Sequence, residues 1–269
     1  MMQLSVAVAG LGAIGWPVVQ RLDRGLDGLR LTAVSARDRA KAEARLAALA
    51  EPVPVLAPEA LAGVADVVVE ALPAALLRAI AVPTLEAGRT LVTLSVGALL
   101  EHADLVALAR RHGARIHVPT GALVGLDAVR AAAHGEIHKV TMRTRKPPLG
   151  LAGAPYLEER GLDLAAITAP TRVFAGTARE AARGFPANVN VAAALALAGI
   201  GPDRTTVEIW ADPTVTRNTH SIDVDADSTR FSLTIEGVPS EENPRTGKLT
   251  PLSVLAALEG LVAPLHVGT

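Results

Sequence analysis

Three groups of residues in this 269-residue chain have types and spacings suited to chemistry. The first is Gly10-Leu11-Gly12-Ala13-Ile14-Gly15, a GxGxxG run. Glycine at 10 permits a tight turn, at 12 it lets backbone approach a pyrophosphate, and at 15 it lets a helix close onto a strand. Free N–H groups at the helix start, around Ala13 and Ile14, then face the phosphates. The second group is Val34-Ser35-Ala36-Arg37-Asp38. Sites for NAD usually place an acid here, to bond the ribose 2′-OH. Ala36 stands at that position and Arg37 follows, suited to a 2′-phosphate, so the expected cofactor is NADP or NAD, with NADP favoured. Asp38 would take the acid's role if the strand ran one or two residues longer, and Arg37 on its own also reads as a solvated loop residue. The third group is His220, in phase with Ile222 and Val224 on a strand pattern. A half-buried histidine at a strand mouth trades a proton near neutral pH; the structural alternative is a histidine bonded to a carbonyl. Asn190, near the start of a helix, is placed to bond a nicotinamide amide, while Asn188 fits an N-cap.

The elements that must position these residues change character along the chain. Leu4–Ala9, Leu29–Ser35, Ala65–Ala71, Thr90–Ser95 and Ala114–Val118 read as strands, with helices between them, among them 13–24 and 39–50. Near-continuous apolar strands alternating with helices predict a doubly wound parallel sheet, an N-terminal Rossmann domain. From Gly135 onward the expectation is a second α+β domain on a mainly antiparallel sheet. A strand over 136–144 opens it, and strands over 206–211, 220–224 and 230–235 read as a meander. Thr177 and Glu180 form a capping-box pattern, and a helix over 188–198 stops at Gly199. The predicted division is 1–120 for the dinucleotide-binding domain, rejoined by a C-terminal helix within 247–269, and 121–246 for the substrate domain.

Composition excludes several classes. Net charge is -1, so no nucleic-acid partner is expected. There is no cysteine, which removes disulfides, thiolate nucleophiles and cysteine-built zinc sites, and no metal site is expected from the seven histidines. No leader pattern and no long uncharged apolar stretch is seen, so the expectation is a cytoplasmic protein that does not span a membrane. Aromatics are only 2%, so Ala, Leu and Val must fill the core.

Several further motifs occur in a fixed order: Thr93-Leu94-Ser95-Val96-Gly97-Ala98-Leu99, Pro119-Thr120-Gly121-Ala122, Gly125-Leu126-Asp127, Arg145-Lys146-Pro147-Pro148, Phe185-Pro186-Ala187-Asn188-Val189-Asn190, Asn218-Thr219-His220, and Pro239-Ser240-Glu241-Glu242-Asn243-Pro244-Arg245-Thr246-Gly247. Together these resemble the L-aspartate dehydrogenase family over nearly the whole chain. The resemblance implies oxidation of L-aspartate to iminosuccinate by hydride transfer to NAD(P)+, the imine then hydrolysing to oxaloacetate and ammonia or feeding NAD biosynthesis. It also implies that His220 is the active-site histidine and that Ala122 and Asn190 touch the nicotinamide end of the cofactor. Glu70-Ala71-Leu72-Pro73 departs from the small polar residues expected in relatives.

A dicarboxylate substrate, L-aspartate or iminosuccinate, needs cationic partners, for which Arg145, Lys146 and Lys248 are the candidates. Lys146 shares a face with Val140 and Met142 only if the strand continues to it, which Pro147 opposes. An open sheet in the second domain suits a homodimer. Two other functions stay open at this point. One is a reductase of another imine or carbonyl dicarboxylate, in the broad group of dihydrodipicolinate reductase and homoserine dehydrogenase; the other is a non-catalytic NAD(P)H sensor, since fold alone does not fix chemistry.

Overall fold

The computed structural model describes residues 3–186, 189–243 and 246–268. The chain divides into two compact units, one running to Pro119 and taking in Thr250–His266, the other built on Thr120–Leu249.

The first unit alternates β1 (Leu4–Ala9), α1 (Gly15–Asp23), β2 (Leu29–Ser35), α2 (Arg39–Leu46), β3 (Val67–Glu70), α3 (Leu77–Glu86), β4 (Thr90–Thr93), α4 (Val96–Leu99), α5 (Asp104–His112) and β5 (Arg115–His117). The five strands form a wholly parallel sheet in the order β2-β1-β3-β4-β5. Its strands are apolar throughout because both faces are covered. Val6, Val8, Val67 and Val69 face a core shared with Val18, Val19 and Leu22 of α1. Ala7, Ala9 and Val68 face the other core, with Leu77, Ile80 and Leu85 of α3 and Leu105 of α5. The parallel α/β sheet is a Rossmann-like architecture.

The second unit holds α6 (Leu126–Ala132), β6 (Ile137–Lys146), α7 (Pro155–Glu158), β7 (Thr171–Thr177), α8 (Ala178–Gly184), α9 (Asn190–Ala198), β8 (Thr205–Ala211), β9 (Asn218–Ala226) and β10 (Arg230–Gly237). Its sheet runs β10-β9-β6-β8-β7 and is mainly antiparallel, with β6 and β8 the parallel pair. The expected meander of three successive strands is therefore corrected. Only β9 and β10 form a hairpin, because β6 inserts between β9 and β8. The long central β6 supplies apolar partners on both edges, and no local sequence pattern encodes such a non-local pairing. β7, at the sheet edge, carries little apolar alternation and escaped the sequence reading. The Thr177–Glu180 capping box is present, with the Glu180 carboxylate accepting from the Thr177 N–H at 2.7 Å.

One face of this sheet is apolar. Val140, Met142, Val207, Ile209, Ile222 and Val224 are buried on it, and the tip of α9 lies so close to Val140 and Val129 that a Cβ on Gly199 would touch both. The opposite face is polar: Arg143 bridges Glu208 and Asp223, and Ser221 bonds Thr234. The last helix, α10 (Leu249–Gly260), returns to the first unit, where Val254 and Leu258 are buried in the core beside β1 and α1. No helix among the described residues is long and apolar enough to cross a membrane.

Candidate functional site

In the first unit the C-terminal ends of β1, β2 and β3 open onto a cavity of about 800 Å³. That is the edge of an open parallel sheet where ligands lie. Gly10 and Gly12 line one side, Ala36 and Arg37 the next, Leu72 and Pro73 another. The glycines differ in what they permit. Gly10 has a φ of +97°, and a Cβ there would overlap the Ala71 carbonyl. A Cβ on Gly15 would overlap the Gly10 carbonyl, so the close packing of α1 onto the turn requires glycine there. Gly12 meets nothing within 4 Å: its openness serves something other than the protein's own packing. Ala13 and Ile14 lead into α1, whose start has no side-chain cap. This cradle fits a dinucleotide in size, in its bare glycine backbone and in its helix N-terminus.

At the far side of the cavity, β2 ends at Ser35, so the strand does not extend to make Asp38 the ribose acid. Asp38 instead caps α2, its carboxylate accepting from the Lys41 N–H at 3.0 Å. Four cationic residues line this side, Arg37, Arg39, Lys41 and Arg45. Arg39 is paired with Glu43 at 2.7 Å, and Arg45 donates to the Leu11 carbonyl at 2.9 Å while lying over Trp16. Arg37 is exposed at the rim, and neither it nor Lys41 has an ion-pair partner among the described residues.

In the second unit β6 runs through Lys146 in spite of Pro147, so Val140, Met142, Thr144 and Lys146 share one face. Thr144 lies opposite His220 in the β6–β9 register, and its hydroxyl meets His220 Nδ1 at 3.1 Å. Thr144, Lys146 and His220 are each no more than 5% exposed. His220 is thus buried, not half-buried. Desolvation, reinforced by the Lys146 charge, lowers its pKa from 6.5 to about 3. The expectation of titration near neutral pH is corrected: burial of the imidazole, and then the charge of Lys146, move its titration well below that range.

The other anticipated residues are placed differently. Arg145 projects from the opposite strand face, over the Trp210 ring and 3.6 Å from Asp212 Oδ2. Lys248 is half exposed and paired with Glu241 at 2.8 Å. Ala122 sits half-buried in the turn before α6. Asn190 is exposed and is the first residue of α9 rather than a turn inside it, with Val189 at the cap. Ala187, Asn188, Pro244 and Arg245 lie outside the described residues, and with them the Asn188 capping expectation. Sequence reasoning missed Thr144, Lys41 and Asp212. Strand alternation from Lys146 would have found Thr144; one helical turn from Asp38 would have found Lys41. Asp212 carries no such signal: it is fully buried just past β8, its Oδ1 held by the Thr214 N–H and hydroxyl at 2.9 and 2.6 Å.

Comparison with known proteins places these features in context. Residues 127–261 match the family model "Aspartate dehydrogenase, C-terminal" and residues 10–119 match "Homoserine dehydrogenase, NAD binding domain". The chain is 56% identical to the L-aspartate dehydrogenase of Bradyrhizobium diazoefficiens, over 99% of this chain and 95% of that protein. It is 53% identical to L-aspartate dehydrogenase 3 of Bordetella bronchiseptica, over 99% and 98%. Its fold matches the crystal structure of aspartate dehydrogenase from Thermotoga maritima with a TM-score of 0.73 at 23% identity, covering 99% of this chain and 100% of that one. A nicotinamide dinucleotide is the cofactor this set of features calls for.

Proposed function

Because the chain belongs to the L-aspartate dehydrogenase family, we propose that it oxidises L-aspartate to iminosuccinate with a nicotinamide dinucleotide as oxidant. The observation that carries this reading is the pair formed by His220 and Lys146 on one desolvated strand face. A buried lysine offers a carboxylate an ion pair little weakened by water. Burial is the larger cause of the low His220 pKa and the Lys146 charge the smaller; the anion offsets the second, and the imidazole gains basicity as substrate binds. In the tautomer whose Nδ1–H donates to the Thr144 hydroxyl, 3.1 Å away, Nε2 takes the proton from the amino nitrogen. The bound cofactor supplies one piece of chemistry: it accepts the Cα hydrogen with its electron pair. L-Aspartate reacts with its amino group neutral, the ammonium proton having gone to solvent; the nitrogen lone pair forms the C=N bond as the hydride leaves Cα, and the single N–H proton then lost is the one that His220 Nε2 takes. Iminosuccinate then either hydrolyses to oxaloacetate and ammonia or feeds NAD biosynthesis.

Ala36 at the usual acid position, with Arg37 and Lys41 beside it, favours NADP over NAD, while the acid lining this side, Asp38, holds the Lys41 N–H with Oδ1. Ala122 and Asn190 are assigned to the nicotinamide end, and Arg145 and Lys248 are secondary to Lys146 in holding carboxylate. The polar sheet face with Arg143, Glu208 and Asp223 carries both signs of charge and suits a second copy of this chain, a homodimer that light scattering would register as doubled mass.

The test is to mix purified protein with L-aspartate and NADP+ or NAD+ and follow reduced cofactor by absorbance, with D-aspartate, L-glutamate and L-alanine as controls. Turnover with L-aspartate alone is expected. No turnover by a protein that still binds NADPH would overturn the substrate assignment.

A further inference from the structure

β3 is the middle strand of the first sheet and reads Val67-Val68-Val69-Glu70. Its last residue is a carboxylate with no solvent exposure. A buried carboxylate is costly unless donors surround it. Glu70 has five. Oε1 accepts from the Leu72 N–H at 3.0 Å and the Ser95 hydroxyl at 2.9 Å. Oε2 accepts from the Thr93 hydroxyl at 2.7 Å, the Ser95 N–H at 3.2 Å and the Leu94 N–H at 3.3 Å. All five donors are neutral, so the charge is held by oriented dipoles rather than by an ion pair. They come from the loop after β3 and from the end of β4 with the loop that follows it, which Glu70 thereby ties together from beneath.

The first of these loops is a wall of the dinucleotide cavity. Ala71, Leu72 and Pro73 line it, and the Ala71 carbonyl packs against Gly10 at the point where a Cβ would collide. We propose that Glu70 is a positioning residue for the cofactor: by gathering the amides of Leu72 and Ser95 it holds the Ala71–Pro73 wall against the glycine turn, so that the cavity exists before the dinucleotide arrives. This rests on the dinucleotide reading of that cavity. An apolar residue of the same length would leave the Leu72 and Ser95 N–H groups and the Thr93 hydroxyl without this acceptor, and only the Leu94 N–H bond to the residue 70 carbonyl and the Ser95 hydroxyl's 3.5 Å contact with the Leu72 carbonyl would remain between the two segments.

Glu70→Gln keeps the shape but turns an NH2 toward donors. Three readouts are taken: NADPH affinity by energy transfer from tryptophan, amide hydrogen exchange of Leu72 and Ser95 in the cofactor-free protein, and kcat at saturating cofactor. NADPH affinity is expected to fall about tenfold and exchange at both amides to rise about tenfold, with kcat changed by less than about threefold. Ile80→Val, a methyl deletion in the same core, controls for general loosening and is expected to leave affinity unchanged. Wild-type affinity in Glu70→Gln, or an equal loss in Ile80→Val, overturns the proposal. If Glu70→Gln does not fold, Ser95→Ala removes one donor from Oε1 and carries the same test with about a threefold expected loss; wild-type affinity there is likewise fatal. A wild-type protein that binds neither NADPH nor NADH instead overturns the dinucleotide reading itself.

Discussion

The two candidate regions are built by opposite means. The cavity of the first unit is made of backbone: bare glycines, a helix start and loop walls around open space. The cluster of the second unit is made of buried side chains, His220 and Thr144 opposite each other in the β6–β9 ladder and Lys146 two residues further along β6. A backbone site binds what approaches it closely and changes little with pH. A desolvated side-chain site sets its chemistry through local charge, so its state changes when an anion arrives. Binding strength and reactivity are thus separable in this protein, and substitutions in the two regions should fail in different ways.

The largest effect is expected from His220→Ala: a fall in kcat of about a thousandfold with NADPH affinity unchanged, read by steady-state kinetics and fluorescence titration. Loss of NADPH binding together with kcat would erase the contrast. Lys146→Met should raise KM for L-aspartate by about a hundredfold, the worth of a desolvated charge-assisted contact. It should also let the His220 pKa climb, visible by NMR titration of the imidazole, because the nearby cation is gone. On the backbone side, Gly12→Val should weaken NADPH binding some tens of fold, an estimate of about 2 kcal/mol of lost close approach, without moving the melting temperature of the free protein. Gly15→Ala should do the reverse first, lowering the melting temperature through its collision with the Gly10 carbonyl. The smallest effect is expected from Arg37→Ala, about a tenfold rise in KM for NADP+ with NAD+ unaffected.

The same contrast has a pH signature. His220 is lowered in the folded state, so below its unfolded value of 6.5 the unfolded chain binds a proton that the folded one refuses. The stability of the wild type is therefore complete above that value. It should decline as pH falls toward about 3, with a slope approaching about 1.4 kcal/mol per pH unit. Denaturant midpoints over that range should fall more steeply for the wild type than for His220→Asn. Parallel curves would show that His220 is charged or solvated in the folded protein.

Much of the first unit was legible because its signals are local. Glycine spacing, a strand before it and a helix after it lie within fifteen residues of one another, and parallel strands buried on both faces advertise themselves as apolar runs. Glu70 at the end of Val67-Val68-Val69 was equally visible as an anomaly, but four of its five donors come from the end of β4 and the loop after it, over twenty residues away. The second unit was less legible. Its strands were found, apart from β7, and so were α8 and α9, but α6, α7 and the strand order were not. The insertion of β6 between β8 and β9 is a long-range choice made by which faces bury together. That choice sets Thr144 opposite His220 and Lys146 on the same face, and it sends Arg145 to the other side.

Sequence alone therefore determined the kind of cofactor cradle, the family resemblance and the identity of the histidine worth watching, since each depends on residue type and on neighbours in the chain. Tertiary structure decided which lysine stands beside that histidine, that Asp38 is spent on a helix cap, and that the imidazole is neutral. Those outcomes depend on strand register and on the exclusion of water, which residues far apart in the chain impose together.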